Sequence, residues 1–142
     1  MALMSKTLAH RIFGIGKIPR SYREALRAEG IVWLEEGVRA SITLRNYKAK
    51  GRRTPLRRAS FSGSVCLTRR RIIAFFYSKR VISVPFNDGR ITQLDVSAED
   101  DKRLLCAFDA AAFDADREGT VECRFRIGRP ADFVKQLQQL AV

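Results

Sequence analysis

Apolar and polar residues alternate with a period of two through the middle of the chain, and with a helical period nearer its ends. Val38, Ala40, Ile42 and Leu44 alternate with Arg39, Ser41, Thr43 and Arg45, the pattern of a strand with one buried face. Phe61, Gly63, Val65 and Leu67 do the same against Ser60, Ser62, Ser64, Cys66 and Thr68. Apolar runs over 72–77, 81–86, 91–96 and 104–108 follow, and Asn87-Asp88-Gly89 marks a turn between the fourth and fifth strands. Val121, Cys123, Phe125 and Ile127 then alternate with Thr120, Glu122, Arg124 and Arg126. Seven strands are predicted.

Helical spacing flanks them. Ser21-Tyr22-Arg23-Glu24 reads as a capping box, Leu26 follows Tyr22 at i+4, and Gly30 suits a helix stop, so a helix is predicted over 21–29. Pro130 fits a first helical turn, and Phe133, Val134, Leu137, Leu140 and Ala141 form one apolar stripe beyond it. The first 20 residues read as a basic arm with Met4, Leu8, Ile12 and Ile15 at near-helical spacing. The expectation is a mainly β (α+β) fold. It is a seven-stranded antiparallel bent sandwich or barrel, capped by a C-terminal α-helix and preceded by an N-terminal helix. At 142 residues the chain suits one domain, over 21–142.

Composition adds little until charge is considered. The chain is 46% apolar and 30% charged, which is globular rather than disordered, and no apolar run reaches bilayer length. Cys66, Cys106 and Cys123 are odd in number, form no CxxC pair and fall within apolar strand patterns. Buried free thiols and a reducing, cytoplasmic setting are expected. The net charge of +12 is uneven. Residues 1–90 carry 20 Lys/Arg against 5 Asp/Glu, whereas residues 91–142 carry 7 against 10. Such a field favours an anionic partner.

Candidate catalytic chemistry is sparse. Gly14-Ile15-Gly16-Lys17 superficially resembles a phosphate loop, but Arg11 and Ile18 occupy positions that GxxxxGK[ST] gives to Gly and Ser/Thr. The single histidine, His10, has no base–nucleophile partner nearby in sequence. Asp109, Asp114, Asp116 and Glu118 do not follow a calcium-loop pattern, and Glu99-Asp100-Asp101 reads as a solvated turn. Trp33, Phe75, Phe76 and Tyr77 read as core residues rather than a base-stacking platform. No enzyme activity, metal or cofactor is expected.

Between the first two strands, residues 48–58 hold six basic residues, Lys48, Lys50, Arg52, Arg53, Arg57 and Arg58. Unpaired charge is costly to bury, so this segment should project into solvent, with Gly51 and Pro55 setting its bends. Alternate turns of an up-and-down sheet share an end. Lys79 and Arg80, in the third-to-fourth turn, should therefore lie toward the same end, and Arg69–Arg71 toward the other.

The run Gly63-Ser64-Val65-Cys66-Leu67-Thr68-Arg69-Arg70-Arg71-Ile72-Ile73-Ala74-Phe75 resembles the second and third strands of GRAM and related pleckstrin-homology-like domains. Glu36-Gly37 upstream and the final strand and helix fit the same order, over roughly residues 30–141. The resemblance implies a bent seven-stranded barrel capped by the last helix and a non-enzymatic role in binding lipid headgroups, membranes or proteins. It also implies an anion site on the loop joining the first two strands, assisted by the third-to-fourth turn. That gives Lys48, Lys50, Arg52, Arg53, Arg57, Arg58, Lys79 and Arg80 as one anion-facing patch. The phosphoinositide pattern of alternating basic residues is missing here, since Ser60 and Ser62 hold the outward positions. An anionic membrane surface or a phosphorylated ligand is the expected partner, with a peripheral position at the inner face of the membrane. A protein-interaction or self-assembly module is the alternative, as is a non-specific nucleic-acid binder.

Overall fold

A computed structural model of the chain describes residues 17–142. The candidate amphipathic helix around Met4–Ile15, together with Lys6, Arg11 and His10, lies outside the described residues.

Helix α1 (Arg20–Glu29) leads into strands β1 (Ile31–Ala49), β2 (Arg52–Thr68), β3 (Arg71–Phe76) and β4 (Lys79–Pro85). A 3-10 turn (Gly89–Gln93) connects these to β5 (Asp95–Ala98) and β6 (Arg103–Asp109). The short helix α2 (Ala110–Phe113), strand β7 (Arg117–Arg126) and helix α3 (Pro130–Leu140) complete the chain. The seven strands form one antiparallel sheet in the order β4-β3-β2-β1-β7-β6-β5. It curls into a half-barrel whose two edges, β4 and β5, do not pair.

β1 holds the halves of the sheet together. It pairs with β2 over its length and with β7 from Ala40 to Ala49. Register shifts between Ile31 and Trp33, Glu35 and Val38, and Arg45 and Lys48 bend it, as bulges do. Gly37 (φ 66°) and Asn46 (φ 50°) supply left-handed backbone at two of these irregularities. These shifts also explain why 31–37 shows no clean alternation in the sequence.

The main core fills the concave face with Val38, Val65, Leu67, Ile72, Leu104, Phe125 and Ile127, all essentially inaccessible. α3 closes one end through Phe133 and Leu137, with the Phe133 ring edge-on to Trp33 at 5.6 Å. Pro130 stands in its first turn as expected. Gly63 has a steric role. A Cβ there would lie 2.8 Å from the Phe75 carbonyl oxygen and 3.0 Å from the Ala40 Cβ, so β2, β3 and β1 pack this closely only around a glycine.

A second, smaller core lies on the convex face. Leu26 and Tyr22 of α1 pack with Ile18 onto Cys66, Ile73 and Phe75, the alternate residues of β2 and β3. Both strands are therefore buried on both sides. Ser62, Ser64 and Thr68, at positions the alternation assigns to solvent, are covered.

Local expectations are corrected in three places. The capping box does not form. Pro19 is the N-cap, with no side-chain cap bond, and Ser21 lies inside the first turn. Tertiary anchors set this start: the Ile18 amide donates to Glu36 (2.9 Å) and Arg23 Nε donates to the Ile18 carbonyl (3.1 Å). The predicted strand over 91–96 starts late, with 91–93 in a 3-10 turn and β5 beginning at Asp95, because Asp88 accepts from the Arg90 amide and the Thr92 hydroxyl donates to the Gly89 carbonyl. The basic segment over 48–58 is a continuation of paired strand, with only Lys50 and Gly51 in the turn.

Candidate anion-binding surface

The long β1–β2 hairpin runs far past the rest of its sheet on one side. β3 pairs with β2 only from Gly63 to Leu67, and the Tyr77 amide closes the β3–β4 turn onto the Ser62 carbonyl at 2.7 Å. From Ser62 outward, β2 keeps β1 as its single strand neighbour. Ten residues, 52–61, thus present a free strand edge. At ~3.3 Å per residue the hairpin tip stands about 33 Å from the β3–β4 turn. On its other side β1 is braced by β7 as far as Ala49 opposite Arg117, so the arm is three strands wide.

All eight predicted anion-site residues are exposed. Lys48 is next to last in β1, Lys50 occupies the turn at φ 53°, and Arg52 and Arg53 begin β2. Arg57 faces Leu44 and Arg58 faces Thr43, so these neighbours point to opposite faces of the arm. Lys79 and Arg80 pair with Phe76 and Phe75 at the base of the arm. The eight lie toward one end of the sheet without converging on a point. Arg69 and Arg70 lie at the opposite end, where Arg71 pairs with Glu29 at 2.9 Å.

None of the eight forms an ion pair among the described residues. The carboxylates near the arm sit on its β7 side: Glu118 opposite Lys48, and Asp114, which holds Arg117 at 3.1 Å. The β2 edge and the β3–β4 turn carry Arg52, Arg53, Arg57, Arg58, Lys79 and Arg80 with no acid among them. Strand order makes the sequence's charge asymmetry spatial. The basic residues 31–85 build one side of the sheet and the mildly acidic residues 95–126 the other.

Two further openings lie nearby. On the concave side, Ile42, Leu44, Tyr47, Val81 and Phe113 floor a groove of about 360 Å³ beside Lys79 and Arg80. The Phe113 ring meets Phe108 at 5.1 Å, anchoring its loop. On the convex side, a cleft of about 550 Å³ is lined by Arg39, Arg103, Arg124 and Arg126 with Ser41 and Ser60. Sequence reasoning missed this group, because its members are distant in the chain and only strand register assembles them. Arg124 is held by Glu99 (2.9 Å) and Glu122 (3.2 Å). Burial opposes its charge, and those two carboxylates more than compensate, raising its pKa.

Elsewhere, Cys66, Cys106 and Cys123 are buried and unbridged. Burial, and next the Glu29 carboxylate, push the Cys66 thiol up to about 12. Burial also lifts Cys123 to about 12. Such thiols are poor nucleophiles. Among the described residues, no group of three or more His, Cys, Asp or Glu is placed to hold a metal, and no helix is long and apolar enough to cross a membrane. No family model, curated protein or solved structure matches the chain.

Proposed function

We propose that this chain is a non-enzymatic, pleckstrin-homology-like binding module whose basic rim adheres to anionic membrane surfaces. The observation that carries the reading is the acid-free edge of Arg52, Arg53, Arg57, Arg58, Lys79 and Arg80, exposed and without ion pairs among the described residues. A braced strand edge holds these charges out from the body, so a flat surface can meet several together. Leu56, 53% exposed between the two arginine pairs, adds an apolar contact at the same edge. Each basic residue near an anionic bilayer contributes about 1 kcal/mol, attenuated by salt. The distribution of charge along an edge rather than around a pocket favours diffuse adhesion over recognition of one headgroup.

Vesicle sedimentation tests this. Phosphatidylserine vesicles should bind the protein at low salt and neutral vesicles should not. Replacing Arg52, Arg53, Arg57 and Arg58 with Ser should remove about 4 kcal/mol, roughly a thousandfold in partitioning. Equal binding to both vesicle types, unchanged by the four substitutions, would refute the reading. A gel shift with random duplex DNA that exceeds vesicle affinity would transfer the same edge to nucleic acid.

A further inference from the structure

We infer that the convex cleft is a second, separate anion site, built to take a phosphoryl group on Arg39, Arg126 and Arg103. Strand register carries the inference. Arg103 of β6 stands directly opposite Arg126 of β7. Arg39 precedes Ala40, whose partner is Phe125, so Arg39 flanks Arg126 on the other side where the β1–β7 ladder ends. Three arginines thus form one row across three adjacent strands, spanning about 10 Å at ~4.8 Å per strand. Like charges placed directly opposite one another destabilise a sheet.

Local carboxylates neutralise only the β6 end of the row. Arg39 and Arg126 form no ion pair among the described residues, and Arg103 reaches Glu99 and Asp100 only at 3.9 and 3.6 Å. The stronger bonds of Glu99 and Glu122 go to Arg124, two residues before Arg126 on the same face of β7. Arg124 is therefore a clamp, while the row beside it keeps unspent donors. Arg39 faces Ser62 across β2, and the Ser41 and Ser60 hydroxyls line the same cleft. Guanidinium forks with adjacent hydroxyls on rigid strands suit a phosphoryl oxyanion, which accepts paired, charge-assisted hydrogen bonds. The cleft lies at the base of the arm, away from Lys50, Arg52 and Arg53 at the hairpin tip, and it shares Ser60 with the free edge.

Pyrophosphate, titrated by calorimetry at low salt, is the first probe. The protein carrying Ser at 52, 53, 57 and 58 is used alongside the wild type, so that the hairpin's own charges are separated from the cleft. Both should bind pyrophosphate alike, and R126Q and R39S should each weaken binding about tenfold or more. Without ligand, R126Q should melt at or above the wild-type temperature, because it removes a like-charge contact. Binding carried by soluble pyrophosphate points to a free phosphorylated ligand. Binding seen only with vesicles displaying phosphatidic acid, and lost in R126Q, points to a headgroup. The inference fails if neither probe binds, if R126Q and R39S bind as the wild type does, or if R126Q melts lower without ligand. Loss of binding in the four-Ser protein alone would place the anion on the hairpin instead.

Discussion

One strand, β2, lives in two environments. Its inner part, Ser62 to Thr68, is buried on both faces, with the main core below and α1 packed over Cys66 above. Its outer part, 52–60, is largely exposed and has one strand neighbour. The inner half is stabilised by burial, at roughly 1.5–3 kcal/mol for each large apolar side chain removed from water. The outer half rests on backbone pairing and on the brace from β7. Substitutions should therefore cost stability in the body and binding in the arm.

The largest stability effects belong to the core. Phe125→Ala, beneath β1 and β2, should lower unfolding free energy by about 3–5 kcal/mol, measured by urea denaturation. Leu26→Ala should cost about 2–5 kcal/mol and expose Cys66 to thiol reagents before global unfolding, which separates the outer core from the inner one. At the arm's brace, Gly119 has φ 103°, and a Cβ there would lie 2.5 Å from the Asn46 carbonyl. Gly119→Ala should cost about 1–3 kcal/mol, and it should raise amide exchange in 41–49 more than in β3.

A smaller effect has the opposite sign. Among the described residues, the buried Ser64 Oγ has no hydrogen-bond partner, so Ser64→Ala should stabilise by about 1 kcal/mol. Replacing Arg52, Arg53, Arg57 and Arg58 with Ser should change stability least per residue, by less than about 0.5 kcal/mol for each exposed site. A cooperative loss of several kcal/mol in that variant would show that the arm belongs energetically to the body.

The thiols give the body a pH dependence. Their folded pKa values are raised, to about 12 for Cys66 and Cys123, while unfolded thiols ionise near about 8.5. Above that pH the unfolded chain has released protons that the folded one keeps. Stability should therefore be intact below about pH 8.5 and fall as pH rises toward 12. Urea melts at increasing pH should show this slope, reduced in C66A.

Much of the fold is legible in the chain because one face of most of its strands is wet. Val121, Cys123, Phe125 and Ile127 announce β7 for that reason, and the Phe133–Leu137 stripe announces α3. Legibility fails where the reason fails. Ser62, Ser64 and Thr68 read as solvent-facing, yet all three are buried, and Thr68 donates to Glu29 of α1 at 2.9 Å. Arg57 stands on the core-facing side of β2 beyond the point where the half-barrel has anything to bury, so the outer hairpin looks like a loop. The arm's basic residues are visible as a local cluster. Arg39, Arg103 and Arg126 are not, since only pairing between β1, β7 and β6 makes them neighbours.

The strand order also makes the molecule divisible. A break in the Asn87–Gly89 turn would leave a cationic fragment ending in β4 and an anionic fragment beginning with β5, joined chiefly along the β1–β7 seam. Two such pieces, opposite in sign and complementary in shape, have the makings of a split reporter: separate polypeptides that find each other fastest in dilute buffer and reconstitute the whole.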